Sequence, residues 1–74
     1  MDANHLIKMA NQIGQFFESM PDREQAKADI ATHLKKFWEP RMRKTILAAM
    51  DTAQAESLDP IVREAISTHR AILG

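Results

Sequence analysis

Three histidines, three serines and a basic run around a single tryptophan are the side chains in this sequence that could do chemistry. His5, His33 and His69 invite a metal site, because neutral imidazole is a common metal ligand. None has a His or Glu four residues away, as the H-E-x-x-H arrangement requires. A di-iron bundle would need four carboxylates and paired Glu-x-x-His motifs, and that pattern is absent. His69 falls among apolar residues of its segment and reads as a core histidine bonded to a carbonyl. Ser19, Ser57 and Ser67 lie at helix ends or on polar faces, with no G-x-S-x-G turn to activate them. Gly14 and Gly74 alone cannot build a phosphate-cradling loop. With no cysteine, disulfides, thiolate-held iron–sulfur clusters and the common zinc sites are excluded within the chain. Catalysis by this chain alone is not expected, and the candidate catalytic, cofactor-binding and metal sets are empty.

The remaining constellation is Lys35-Lys36-Phe37-Trp38-Glu39-Pro40-Arg41-Met42-Arg43-Lys44, which holds five of the ten basic residues and the only Trp. On a helical wheel Phe37 points to the core side, while Trp38 falls roughly 100° away, at the margin. Arg43 sits at the edge of the next apolar arc, between Leu47 and Met50. Trp, Arg and Met are enriched at the buried centres of protein interfaces, so Phe37, Trp38, Pro40, Arg41, Met42 and Arg43 are candidate partner-binding residues. Two other readings stay open: a solvated junction with Trp38 capping the core, and a site for an anionic group beside a helix start. Lys27 and Lys44 read as plain exposed charges.

The elements that must position these residues are helical. Gly occurs only twice and Pro three times, and no segment alternates apolar and polar residues as a strand would. From about Asn4 to Met20, Leu6, Met9, Ala10, Ile13, Phe16, Phe17 and Met20 fall within an arc of roughly 120°. Ile7 and Gly14 lie off that stripe, nearly in line, and mark a second face where another backbone can come close. They are further partner-binding candidates. The second segment opens at Asp22, with Gln25 in capping-box position, and carries Ala26, Ile30, Leu34 and Phe37. It must end near Glu39, because Pro40 disfavours helical geometry in the residue before it. The third begins at Pro40, places Met42, Ile46, Ala49, Met50 and Ala53 on one arc, and fades into Gln54–Leu58. Asp59–Pro60 announces the fourth, with Ile61, Val62, Ala65, Ile66, Ile72 and Leu73 on its face. The expected fold is a single all-α domain over residues 1–74, a small bundle of about four amphipathic helices of ~13–17 residues.

Composition narrows the function classes. Ten acidic and ten basic residues cancel, whereas nucleic-acid binders carry a basic excess. No stretch approaches the ~20 apolar residues of a membrane span, and the N-terminus lacks a basic-then-apolar signal region. No nucleic-acid or membrane partner is expected, and the absence of cysteine fits a reducing cytoplasm. A core this small supplies at most about 3–5 kcal/mol, so stabilisation by a partner protein is expected.

Three stretches carry a family resemblance: Leu6-Ile7-Lys8-Met9-Ala10-Asn11-Gln12-Ile13-Gly14-Gln15-Phe16-Phe17, Ile30-Ala31-Thr32-His33-Leu34, and Phe37-Trp38-Glu39-Pro40-Arg41-Met42-Arg43. The chain resembles the delta subunit of soluble NAD-dependent, molybdenum-containing formate dehydrogenases, with little signal after Met50. The resemblance implies an accessory chain of a cytoplasmic complex that oxidises formate to carbon dioxide and reduces NAD. In such a complex the alpha subunit holds bis-molybdopterin guanine dinucleotide and iron–sulfur clusters, and other subunits carry flavin and NAD. The expected partner is the catalytic alpha subunit, on which this chain would dock as a stabiliser. Rival expectations are a transient maturation factor for cofactor insertion and a small helical nucleic-acid-binding regulator.

If the three histidines are structural, adding zinc, nickel or iron leaves the melting temperature of the chain unchanged, and chelator has no effect. A large metal-dependent shift in a thermal melt would expose a ligand set.

Overall fold

Two aspartates start the first half of the molecule. In the computed structural model, which describes residues 2–74, helix α1 spans Ala3–Glu18 and helix α2 spans Arg23–Phe37. The Asp2 carboxylate accepts from the Asn4 N–H at 2.9 Å, and that of Asp22 from Glu24 and Gln25 N–H at 3.0 and 3.2 Å. These bonds satisfy donors that a helix N-terminus leaves free. The capping box at Asp22 is only half made, because the Gln25 side chain donates to Asp29 (2.9 Å) instead of reaching back. Helix α3 (Pro40–Ala49) and helix α4 (Pro60–Thr68) each open on proline, with no side-chain bond from the capping residue. At α4 the capping residue is instead tied to α1: Asn11 accepts from the Asp59 N–H at 2.8 Å and donates to the Ser57 carbonyl at 3.0 Å.

The all-α expectation holds, and no strand is present among the described residues. Two segments are shorter than their periodicity implied. The third stops at Ala49 and is followed by a 3-10 turn over Ala53–Ser57, so Ala53 leaves the expected arc and is exposed. Thr52 is the cause: its hydroxyl donates to the Ala49 carbonyl (2.8 Å) and accepts from the Gln54 N–H (3.1 Å). Such local bonds compete with helix continuation. The fourth breaks at His69 (φ −109°, ψ 26°) before a last turn, α5 (Arg70–Leu73). His69 is therefore a half-buried break point and not a core histidine, and its ring bonds no carbonyl among the described residues. Leu73 is buried beyond the break, while Ile72 turns outward.

The core is aliphatic, built from Ile30 and Leu34 of α2, Ile46 of α3, Leu58, and Ile61 and Ile66 of α4. Helix α1 covers it with Leu6, Ile7, Ala10 and Gly14. That buried face is turned about 70° from the arc expected for α1. Gly14 is the reason. Val62 of α4 packs so tightly over it that a Cβ at position 14 would collide with the Val62 Cγ2 methyl. The close approach anticipated at Gly14 is thus made by the chain's own α4, and Ile7 is buried beside it in the core.

Polar ties bind α2 to α4. Arg23 pairs with Glu64 at 2.9 Å, and Lys27 meets Glu24 at 2.8 Å and Glu64 at 3.8 Å. Lys27 is only 8% exposed, so it is not the free surface charge its sequence context implied. It lays its methylenes along the core and keeps its ammonium at the rim. The hydrogen bond from Arg23 holds the Glu64 carboxyl below the usual carboxylate range, and burial opposes that shift. Whatever this tie contributes is present at neutral pH and is lost as pH falls through the lowered Glu64 pKa. No helix among the described residues is long and apolar enough to cross a membrane.

Gly14→Ala tests the α1–α4 contact. Helix propensity favours Ala by about 1 kcal/mol, while overpacking costs about 1–3 kcal/mol. A net loss of up to ~2 kcal/mol is expected in denaturant unfolding. The Gly14→Ala and Val62→Ala double variant should be more stable than the sum of the single effects. Additive effects would place Val62 away from position 14.

Candidate partner-binding surface

The surface is set where α2 ends. Pro40 forces extended geometry on Glu39 (φ −64°, ψ 154°), and Trp38 is already extended (φ −89°, ψ 136°). A helical wheel carried past Phe37 therefore points Trp38 in the wrong direction. Trp38 is 5% exposed and lies in the core, whereas Phe37, expected on the core side, is 71% exposed. Arg43 closes this junction from the next helix. Its Nη1 donates to the Trp38 carbonyl at 2.7 Å and the Lys35 carbonyl at 3.3 Å, and its Nε donates to the Leu73 carbonyl at 3.3 Å. A cation there complements the negative end of α2 and satisfies carbonyls the helix leaves free.

The expected interface corner thus divides. Trp38 and Arg43 are occupied inside the chain, Met42 is half-buried against the core, and Phe37, Pro40 and Arg41 remain outside. The exposed part continues onto α1, through residues absent from the expected set. Phe16 is 74% exposed and stands edge-to-face on Phe17, with ring centroids 5.1 Å apart. Phe17 faces His33 at 6.3 Å, and His33 stacks at a tilt on Phe37 at 4.7 Å. All three phenylalanines of the sequence therefore lie in one strip, Phe16–Phe17–His33–Phe37, outside the aliphatic core.

Two grooves run along the strip. One, of about 350 Å³, is lined by Gln12, Ile13, Phe16, Phe17 and His33. The other, of about 220 Å³, is lined by Phe17, Asp29, Thr32, His33, Lys36 and Phe37. Phe17 and His33 form the wall the grooves share. Single exposed apolar residues are ordinary on a protein surface, and the contiguity of these rings makes the strip the candidate contact surface. The patch offers π faces and apolar walls. His5 is exposed, His33 is in the strip and His69 is at the α4–α5 break, and the described residues contain no cluster of three or more His, Asp or Glu placed to hold a metal.

A signal for Phe16 and Phe17 was present in the sequence. Counting Ile7 and Gly14 with the main stripe of α1 widens its apolar arc to about 180°, more than one face against a small core can cover. The surplus edge is where Phe16 sits, with Met9, Ile13 and Met20 half-buried beside it.

Residues 5–66 match the family model described as NADH-dependent formate dehydrogenase delta subunit FdsD. No curated protein and no solved structure matches the chain.

Alanine substitutions separate the two halves of the expected corner. Trp38→Ala removes a core side chain worth about 3–5 kcal/mol, comparable to the whole stability of a core this small. It should abolish the cooperative circular-dichroism melt. Phe16→Ala and Phe37→Ala should each move the melting temperature by no more than about 4 °C. The reverse ranking would put the phenylalanines in the core and the tryptophan outside it.

Proposed function

The chain belongs to the NADH-dependent formate dehydrogenase delta subunit family, and from that membership we propose that it is a non-catalytic subunit that docks on the molybdenum-bearing catalytic subunit of such a complex and stabilises it. In this reading formate oxidation and NAD reduction take place in the cytoplasm on other subunits, which hold the molybdenum cofactor, the iron–sulfur clusters and the flavin. This chain supplies contact area. The observation that carries the reading is that Phe16 and Phe37 are exposed on one face, joined through the half-buried Phe17 and His33, while the core is filled by aliphatic residues and Trp38.

The energetics favour such a role. Covering an aromatic side chain of this size contributes about 1.5–3 kcal/mol, so Phe16 and Phe37 together provide about 3–6 kcal/mol toward association. Edge-to-face rings add specificity of direction. The gain is reciprocal, since a partner that binds only the folded chain raises its stability by mass action.

Co-expression of the full chain with the other subunits of its complex tests this. Wild-type chain should co-purify in fixed ratio with active enzyme. The Phe16→Ala and Phe37→Ala double variant should remain folded yet be recovered in the complex at least about tenfold less, since hot-spot truncation costs ~2 kcal/mol or more. Formate-dependent NAD reduction should fall with it. A chain that binds only cofactor-free enzyme and leaves once the cofactor is loaded would instead be a maturation factor. Full recovery of the double variant in the complex would remove the strip from the docking reading.

A further inference from the structure

The strip has features that specify the chemistry of the segment covering it. Its two grooves are adjacent, because Phe17 and His33 wall both, and each is open enough for one large apolar side chain. Side chains three or four positions apart on a helix lie about 5–6 Å from one another on one face, so consecutive positions of a single helix can fill both grooves. The second groove is also charged. Lys36 lines it beside Phe37 and has no ion-pair partner among the described residues. Asp29, on the same groove, accepts a hydrogen bond from the neutral Gln25 amide at 2.9 Å.

The surroundings add to that imbalance. Between Lys35 and Lys44 five basic residues face one acid, Glu39, although the whole chain is neutral. Arg43 is engaged with carbonyls, which leaves Lys35, Lys36, Arg41 and Lys44 exposed, and of these Lys36 lines the groove beside Phe37. The Phe16 end has no comparable run, since Lys8 is the only base of α1. The first groove is lined by no lysine or arginine, whereas Lys36 stands on the second, so the unpaired cation lies at the Phe37 end of the strip.

We propose that the strip receives one amphipathic helix of the partner subunit, with two large apolar residues three or four positions apart seated in the two grooves and an acidic residue one turn further on paired with Lys36. This rests on the docking function proposed above and adds to it the class of partner segment and its direction. The aromatic grooves supply affinity, while the Lys36 end fixes which way the helix runs, because the reversed helix would leave its acid over Phe16.

Overlapping 20-residue peptides spanning the other subunits of the native complex, titrated against the full chain by fluorescence anisotropy, test the proposal. The expected binder is one amphipathic segment of that pattern, weakened at least tenfold by Phe16→Ala and again by Phe37→Ala. Lys36→Glu should weaken it severalfold, more at low salt than at high, and replacing the acid of the peptide by Lys should restore binding to the Lys36→Glu chain. A binder indifferent to Lys36→Glu, or one lacking an acid, overturns the assignment. So does self-association of the free chain that Phe16→Ala and Phe37→Ala abolish, since the strip would then receive a second copy. If no peptide binds although the double phenylalanine variant fails to assemble, the docking function stands and the helix proposal falls. If that variant assembles normally, the helix proposal falls and docking uses another surface; if the wild-type chain itself fails to co-purify, the docking function falls as well.

Discussion

The hold that Arg43 keeps on the end of α2 fixes more of this molecule than any other single contact. One guanidinium reaches carbonyls of Lys35, Trp38 and Leu73, which belong to the last turn of α2, the residue after it and the last turn of the chain. Pro40 prevents α2 from continuing, so the backbone must turn within two residues, and Arg43 satisfies the carbonyls that the turn leaves free. Trp38 swings inward as a result and Phe37 is left outward. Core and outer surface are thus decided together, at a junction of seven residues, Phe37 to Arg43.

This junction also divides the labour among apolar residues. The interior is closed by aliphatic side chains that interdigitate at short range, closely enough at Gly14 and Val62 that no Cβ fits between them. The bulkier phenylalanines are kept out and gathered where α1 and α2 expose their edges. A chain of 74 residues has too little core to bury both sets, and the uncovered set is the part available to a partner. This fits a family described as a subunit of a formate dehydrogenase.

Much of the architecture was legible in the sequence because helix starts are local. Asp22, Pro40 and Pro60 act within one turn of themselves, and each opens a helix where the chain has one, while the Asp2 cap of α1 was not singled out. Helix ends were less legible: Thr52 and His69 stop their segments through a side-chain bond and a backbone turn that periodicity does not register. The site was half legible. Pro40 and Arg41 are exposed, Phe37 is exposed against its wheel position, and Trp38, Arg43, Ile7 and Gly14 are wholly or partly taken up internally. A wheel assigns direction only while the helix lasts, which is why Phe37 and Trp38 exchange places. It also cannot say which part of a broad apolar arc a neighbour will cover, which is why Phe16, Phe17 and His33 do not stand out by periodicity.

Hydroxyl-radical footprinting of the free chain and of the assembled complex bears most directly on the idea that the phenylalanine strip is the surface this chain gives to its partner. Phe16 and Phe37 should be oxidised readily in the free chain and protected in the complex, while Trp38 stays protected in both. Phe16 and Phe37 remaining equally reactive after assembly, with protection appearing elsewhere on the chain, would contradict it.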